Sequence, residues 1–213
     1  MNASCIYHDP AQLVDQLGAA TAANVAAFGR DAITTISALI RDQAIDCDLE
    51  PAGLAYPAMD SAQMLVAQKM FRASESIGFA GELWSAETCK KQLGSDLFIG
   101  AFVDTTAFHV NPYKLARGLL TKVVRPSGVD VYEHSAVNDI RDNGQFVTAI
   151  ATSSQGRFRI CAKSALIATN AYTIHSPERR YFAPLHVYSI VTEPLTDEQL
   201  HEMGWHGRQV IRE

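Results

Sequence analysis

One continuous stretch limits the folds open to this chain more than any other: Gly128 to Thr173, GVDVYEHSAVNDIRDNGQFVTAIATSSQGRFRICAKSALIATNAYT. It opens on a short alternation, Val129 and Val131, and closes on a continuous apolar run, Ala165-Leu166-Ile167-Ala168. Such a run is the pattern of a strand buried on both faces of a parallel sheet, which needs helices or a second sheet to cover it. Between the two lie Val137 to Arg141, Phe146 to Thr152 and Arg157 to Cys161, separated by Asp142-Asn143-Gly144 and Ser153-Ser154-Gln155-Gly156. Those separators are turn chemistries, so the stretch predicts a three-stranded meander inserted between two parallel strands, 128–132 and 164–168. The second parallel strand ends in Ala168-Thr169-Asn170-Ala171, small residues at a carboxyl strand end, where open α/β sheets bind ligands.

The chain before this stretch reads as helices around short strands. Asp9-Pro10 supplies a cap and a first-turn proline, and apolar residues recur at Leu13, Leu17, Val25, Phe28, Ile33, Ile36 and Ile40. Gly18 and Gly29 weaken this long helix locally, so it is one helix or a broken pair. Gly53 to Ala58 is strand-like, Ser61 to Ile77 a second helix, and Ser85 caps a short helix through Lys91 that Gly94 ends. Asp96 to Asp104 is strand-like, Thr105 to Val110 a connection, and Asn111-Pro112 starts a helix from Tyr113 to Val124. Beyond the central stretch, Phe182 to Glu193 is a strand that ends before Pro194, and a short helix begins at Thr196 or Asp197.

Several functions fall away on charge and spacing. A net charge of -5 with no basic stripe argues against non-specific nucleic-acid binding. No run approaches the roughly 18 apolar residues that a membrane span requires, and the N-terminus lacks the pattern of a signal peptide. Cys5, Cys47, Cys89 and Cys161 form no CxxC pair, so reduced thiols and a cytoplasmic location are expected, with no metal. His201 and His206 miss the four-residue spacing that puts two ligands on one helical face, and His8, His134 and His175 are scattered. Asp46 and Asp48 could be taken for an acid and base pair, but with no third partner they read as a solvated turn. No nucleophile elbow, phosphate loop or internal repeat is present.

The ordered succession GVDVYEHSAV, meander, LIATNAYT resembles the FAD-dependent oxidoreductases of the D-amino-acid oxidase superfamily, and within it the branch of amine and amino-acid oxidases. Two further strings carry the likeness, PYKLARGLL from Pro112 and PLHVYSIVTEPL from Pro184; where the family usually has a histidine before that first proline, this chain has Asn111. The resemblance implies a mixed α/β fold: the middle portion of a two-domain flavoprotein, with part of a parallel sheet, a meander, and part of a substrate-domain sheet packed by helices. It implies a substrate-domain segment over 1–104, a partial FAD-binding domain over 105–176, and a return segment over 177–213.

In such enzymes the protein holds the cofactor while the isoalloxazine carries the redox chemistry. Pyrophosphate binding in that class depends on G-x-G-x-x-G, and no two glycines of this chain lie two apart. The resemblance therefore leaves this chain the adenosine half of FAD. Val137 falls where backbone groups meet the adenine, and Ala168, Thr169 and Asn170 where the chain passes the ribose and pyrophosphate. His186, Tyr188 and Thr192 share one face of their strand and are the substrate-facing candidates; no catalytic acid or base stands out. The function implied is oxidation of an amine or amino acid by hydride transfer to flavin. The alternative is an inactive remnant or partner-dependent subunit without the flavin-phosphate motif. Strands 128–132 and 164–168 would lack sheet neighbours, so self-association or pairing with the remaining flavoprotein portions is expected.

Overall fold

The computed structural model describes residues 2–3, 9–170, 183 and 193–212. The chain divides into two compact units, Met1–Val129 with Glu193–Glu213, and Asp130–Thr192.

The first unit is built on a four-stranded mixed sheet in the order β3-β4-β2-β9. Strands β2 (Leu54–Ala58) and β3 (Gly81–Ser85) both run antiparallel to β4 (Gly100–Asp104), and β9 (Val210–Ile211) runs parallel to β2. Helices α1 (Pro10–Leu17), α2 (Ala19–Asp42) and α3 (Ser61–Ser76) supply one core cluster. The first two are the broken pair foreseen from Gly18, which takes φ 75° between them. Asp9 caps α1 by accepting from the Ala11 amide at 2.7 Å, and Asp60 caps α3 by accepting from Gln63 at 2.8 Å.

At the centre of this layer Phe102 is 1% exposed, with ring centroids 6.0 Å from Tyr56 and 6.4 Å from Phe79. Gly81 fits against it because a Cβ there would meet the Phe102 ring at 2.5 Å. The other face of the sheet, through Ala55, Ala101 and Val103, packs on Cys89 and Leu93 of α4 (Ala86–Leu93). Ser85 caps α4 and Gly94 closes it in the left-handed conformation.

A third cluster joins Ile40 of α2, Ile45, Cys47, Phe108 and Val110 to Leu115 of α5 (Pro112–Leu119). Residues 108–119 thus contribute to the core of the first unit. Phe108–His109 forms β5, paired with β1 (Asn2–Ala3), where the sequence indicates only a connection. The predicted helix to Val124 is α-helical through Leu119 and then widens into a π-helical turn, Leu120–Val124.

Cys47 and Cys89 are buried, and burial is the main cause that raises both thiols above the usual value of 9.0. Asp46 and Asp48 raise Cys47 further, while Lys114 opposes them. A raised folded pKa means that the folded chain keeps protons which the unfolded chain releases as pH climbs. Stability should hold below pH 9 and fall from about pH 9 upward, with Tyr56, also raised by burial from 10.0, adding to the fall. Thermal melts between about pH 7 and 10.5 measure this, and Cys89→Ala should flatten the slope. A midpoint that does not move across that range would refute it.

The second unit contains the meander β6 (Ala136–Asp142), β7 (Val147–Ser153) and β8 (Gly156–Ala162), in sequential antiparallel order. Its three strands and two turns lie where the sequence puts them. Asn143 orders the first turn by accepting from the Gln145 and Phe146 amides at 3.0 and 2.9 Å. The register sets Ile140 beside Ala149 and Ile160, and Val137 beside Ala151 and Phe158, so one face is apolar.

The two parallel strands expected at 128–132 and 164–168 are not formed. None of the described sheets includes either segment, and Leu166 is 91% exposed. A run of that composition becomes a two-faced buried strand only with strands beside it to pair its N–H and C=O groups. No described strand flanks these segments, and they carry no regular structure and are exposed. The strand expected over 182–193 lies almost wholly outside the described residues.

Candidate functional site

Two places carry the features of a binding site, one in each unit. In the second unit the ladder between β6 and β7 shifts register between Val137 and Asp139, which leaves Asn138 as the extra residue of a bulge. Asn138 donates from its amide to Thr152 Oγ1 at 2.9 Å. Strand β6 is the outer strand of the meander, so alternate backbone groups on its far side are free of the ladder. Val137 is exposed there. An exposed edge of N–H and C=O groups is what a purine base needs, since it is bound through its own ring edge.

Ala168, Thr169 and Asn170 belong to the same unit, are exposed, and are small enough to let a ligand approach the backbone. Asn170 adopts a left-handed φ of 47°, a conformation that Asn tolerates better than most residues. These are the positions that the family resemblance marks for the adenosine half of the cofactor. The turn that would grip its phosphates is missing, since the sequence has no glycines two apart. His186, Tyr188 and Thr192 lie outside the described residues.

In the first unit a cavity of about 190 Å³ opens between β2 and α3. Gln63, Val66, Ala67 and Met70 face it at the three- and four-residue spacing of one helical face. Its polar groups come from elsewhere. Tyr56 stands on β2, and Arg212 follows β9, its backbone N–H donating to the Ala55 carbonyl at 2.9 Å. The Arg212 Cζ lies 5.9 Å from the centroid of the Tyr56 ring. Burial pushes the Tyr56 phenol up, with Arg212 partly offsetting it, so the hydroxyl remains a donor at neutral pH. Sequence reasoning missed both residues: nothing local marks either, and only the pairing of β9 with β2 brings them together.

Of the two carboxylates weighed in the sequence, Asp46 is exposed and Asp48 is engaged by a lysine. Asp48 sits at φ 53° and holds Lys114 at 2.6 Å. The hydrogen bond from Lys114 lowers the Asp48 carboxyl and raises the lysine. Among the described residues no three metal-ligating side chains cluster, and no helix is long and apolar enough to cross a membrane.

A helix-packed mixed sheet followed by an antiparallel meander is an arrangement found in solved amino-acid-oxidising enzymes. Glycine oxidase from Geobacillus kaustophilus superposes with a TM-score of 0.60 at 19% identity, covering 73% of this chain and 42% of that one. L-proline dehydrogenase from P. horikoshii superposes at 0.51 and 12% identity, over 61% of this chain and 34% of that one. At such identities the likeness is one of fold.

The chain belongs to the FAD dependent oxidoreductase (DAO) family, whose model matches residues 4–212. It is similar to the probable oxidoreductase OrdL of Haemophilus influenzae, 28% identical over 194 residues, which cover 87% of this chain and 43% of that protein. It is also similar to gamma-glutamylputrescine oxidoreductase of Escherichia coli K12, 32% identical over 134 residues, covering 62% of this chain and 30% of that protein. The chain therefore spans less than half the length of these relatives.

Proposed function

We propose that this chain supplies the central part of an FAD-dependent oxidoreductase of amines or amino acids, and that it seats the adenosine end of the cofactor. The observation that carries the reading is the family match across residues 4–212. The free edge of β6 supports it in physical terms: the Val137 backbone would meet the adenine edge, and Ala168 to Asn170 would let ribose and pyrophosphate pass close to the chain. FAD, when bound, supplies the acceptor for the hydride from the carbon bearing the substrate nitrogen. This chain's share of the work is to hold and orient the cofactor's far end.

Titration with FAD, followed by flavin absorbance and fluorescence, tests the seat. Saturable binding is expected, displaced by adenosine monophosphate and not by riboflavin, because only the adenosine end is gripped. Ala168→Trp should weaken FAD by about tenfold or more through steric exclusion. The absence of any saturable change, or displacement by riboflavin alone, would favour the second reading, an inactive remnant or partner-dependent subunit. That reading draws on the missing glycine turn.

A further inference from the structure

The turn between β6 and β7 brings reactive groups together. Asn143 is the only asparagine of the sequence that glycine follows. With no Cβ on Gly144, nothing shields its backbone nitrogen from the side chain of the residue before it. Bonding of that nitrogen to the Asn143 side-chain carbon, Cγ, would close a cyclic imide and release the amide group. Three hydrogen bonds fall on the atoms this closure uses.

The Gly144 N–H donates to Asp142 Oδ1 at 2.8 Å, so a carboxylate stands ready to take the proton of the attacking nitrogen. Asn143 Oδ1 accepts from the Gln145 and Phe146 amides at 3.0 and 2.9 Å. Paired N–H donors on an oxygen that gains charge during the reaction make an oxyanion hole. All of these residues are exposed, so water reaches the site and ammonia can leave it. The second turn of the meander is ordered without such a set, its Gln155 N–H donating to Ser153 Oγ at 3.1 Å.

We propose that Asn143 is a site of self-modification, where the folded turn itself promotes loss of the side-chain amide. The Gly144 proton passes to Asp142 as the nitrogen bonds to Cγ, and the charge that builds on Oδ1 rests against the two amides. Collapse of that oxyanion breaks the Cγ–Nδ2 bond; Nδ2 takes the proton back from Asp142 and departs as ammonia. Water then opens the imide at either carbonyl, leaving aspartate or isoaspartate. The product adds a negative charge beside Asp142. In the isoaspartate form the main chain gains a carbon, in a turn where the Asn143 N–H donates to the Phe146 carbonyl at 3.3 Å. None of this uses a residue of the adenosine seat, so it stands apart from the flavin reading.

The test incubates the 213-residue chain at neutral pH, folded in buffer and unfolded in guanidinium chloride. Mass spectrometry of the fragment that carries Asn143 follows the conversion, and chromatography separates the two products. The folded chain should convert about tenfold faster than the unfolded one, or more, since only the fold aligns base and oxyanion hole. Asp142→Ser keeps an oxygen for the Gly144 N–H and removes the base. It should slow the folded chain by about tenfold or more and leave the unfolded rate unchanged. Asp142 is exposed, so the melting curve of that variant should match the parent's. A folded rate at or below the unfolded rate overturns the proposal without recourse to any variant, and so does a folded Asp142→Ser chain that converts as fast as the parent.

Discussion

Phe102→Ala is expected to lower the free energy of unfolding by about 3–5 kcal/mol, the range for deleting a large aromatic side chain from a packed core. Phe102 stands in the middle strand of its half of the sheet, between β3 and β2, and it is 1% exposed. Tyr56 and Phe79 pack on its ring, and Gly81 has no side chain to fill the space left behind. A cavity would therefore persist rather than collapse, which puts the loss toward the upper part of the range. The midpoint of urea denaturation, followed by circular dichroism, measures it. A loss under about 1 kcal/mol would mean that the helices close over the gap, and that this ring is not the anchor of the layer.

Gly94→Ala should act by a different route and nearly as strongly. Gly94 ends α4 with φ 69°, its N–H donating to the Lys90 carbonyl at 3.0 Å. Any other residue held there costs about 1–2 kcal/mol from the left-handed backbone alone. A Cβ would also meet the Met203 carbonyl and Gly204, at the end of α6 (Asp197–Met203). Overpacking of that kind adds about 1–3 kcal/mol. The cheapest relief is for the return segment to leave α4, breaking the bond from the Gly207 N–H to the Gln92 carbonyl at 3.0 Å. Hydrogen exchange at Val210 and Arg212, whose amides bond to β2, should speed up well before the rest of the unit opens. If those amides stay as protected as in the parent chain, the return segment is not held at Gly94.

What could be read from the chain beforehand follows the reach of each signal. Helix starts were legible because a cap acts within three residues: Asp9, Ser85 and Asn111 each accept from a backbone N–H of the turn they open. The meander was legible for the same reason, since Asn143 and Gly156 set its turns locally and alternation did the rest. Strand β3 was not. Glu82-Leu83-Trp84 shows no clear period, and it becomes a strand only because β4 pairs with it. Strand β9 is two residues long, too short to announce itself, yet it carries Arg212 to Tyr56.

The apolar run at Ala165 to Ala168 shows the opposite error. Its composition describes the surroundings such a segment has when neighbours flank it, and a segment cannot supply its own neighbours. The proposed adenosine seat rests on likeness to a family, because backbone groups leave no signature in side-chain chemistry. The cavity between β2 and α3 was not legible at all, since nothing local marks Tyr56 or Arg212 as its polar groups.

The single surplus residue in β6 works as a frame marker. Upstream of Asn138 and downstream of it, side chains alternate in two different phases, and only the inserted position lets Val137 and Ile140, three apart, look out from the same side. Deleting Asn138 would heal the ladder and leave Val137 and Ile140, then two apart, on the same side, whereas straightening the strand without a deletion would turn Val137 to the side opposite Ile140. Homologues that align here without a gap but lack the irregularity would present a different residue to whatever docks on that margin, so aligned letters at this point are a poor guide to shared contacts.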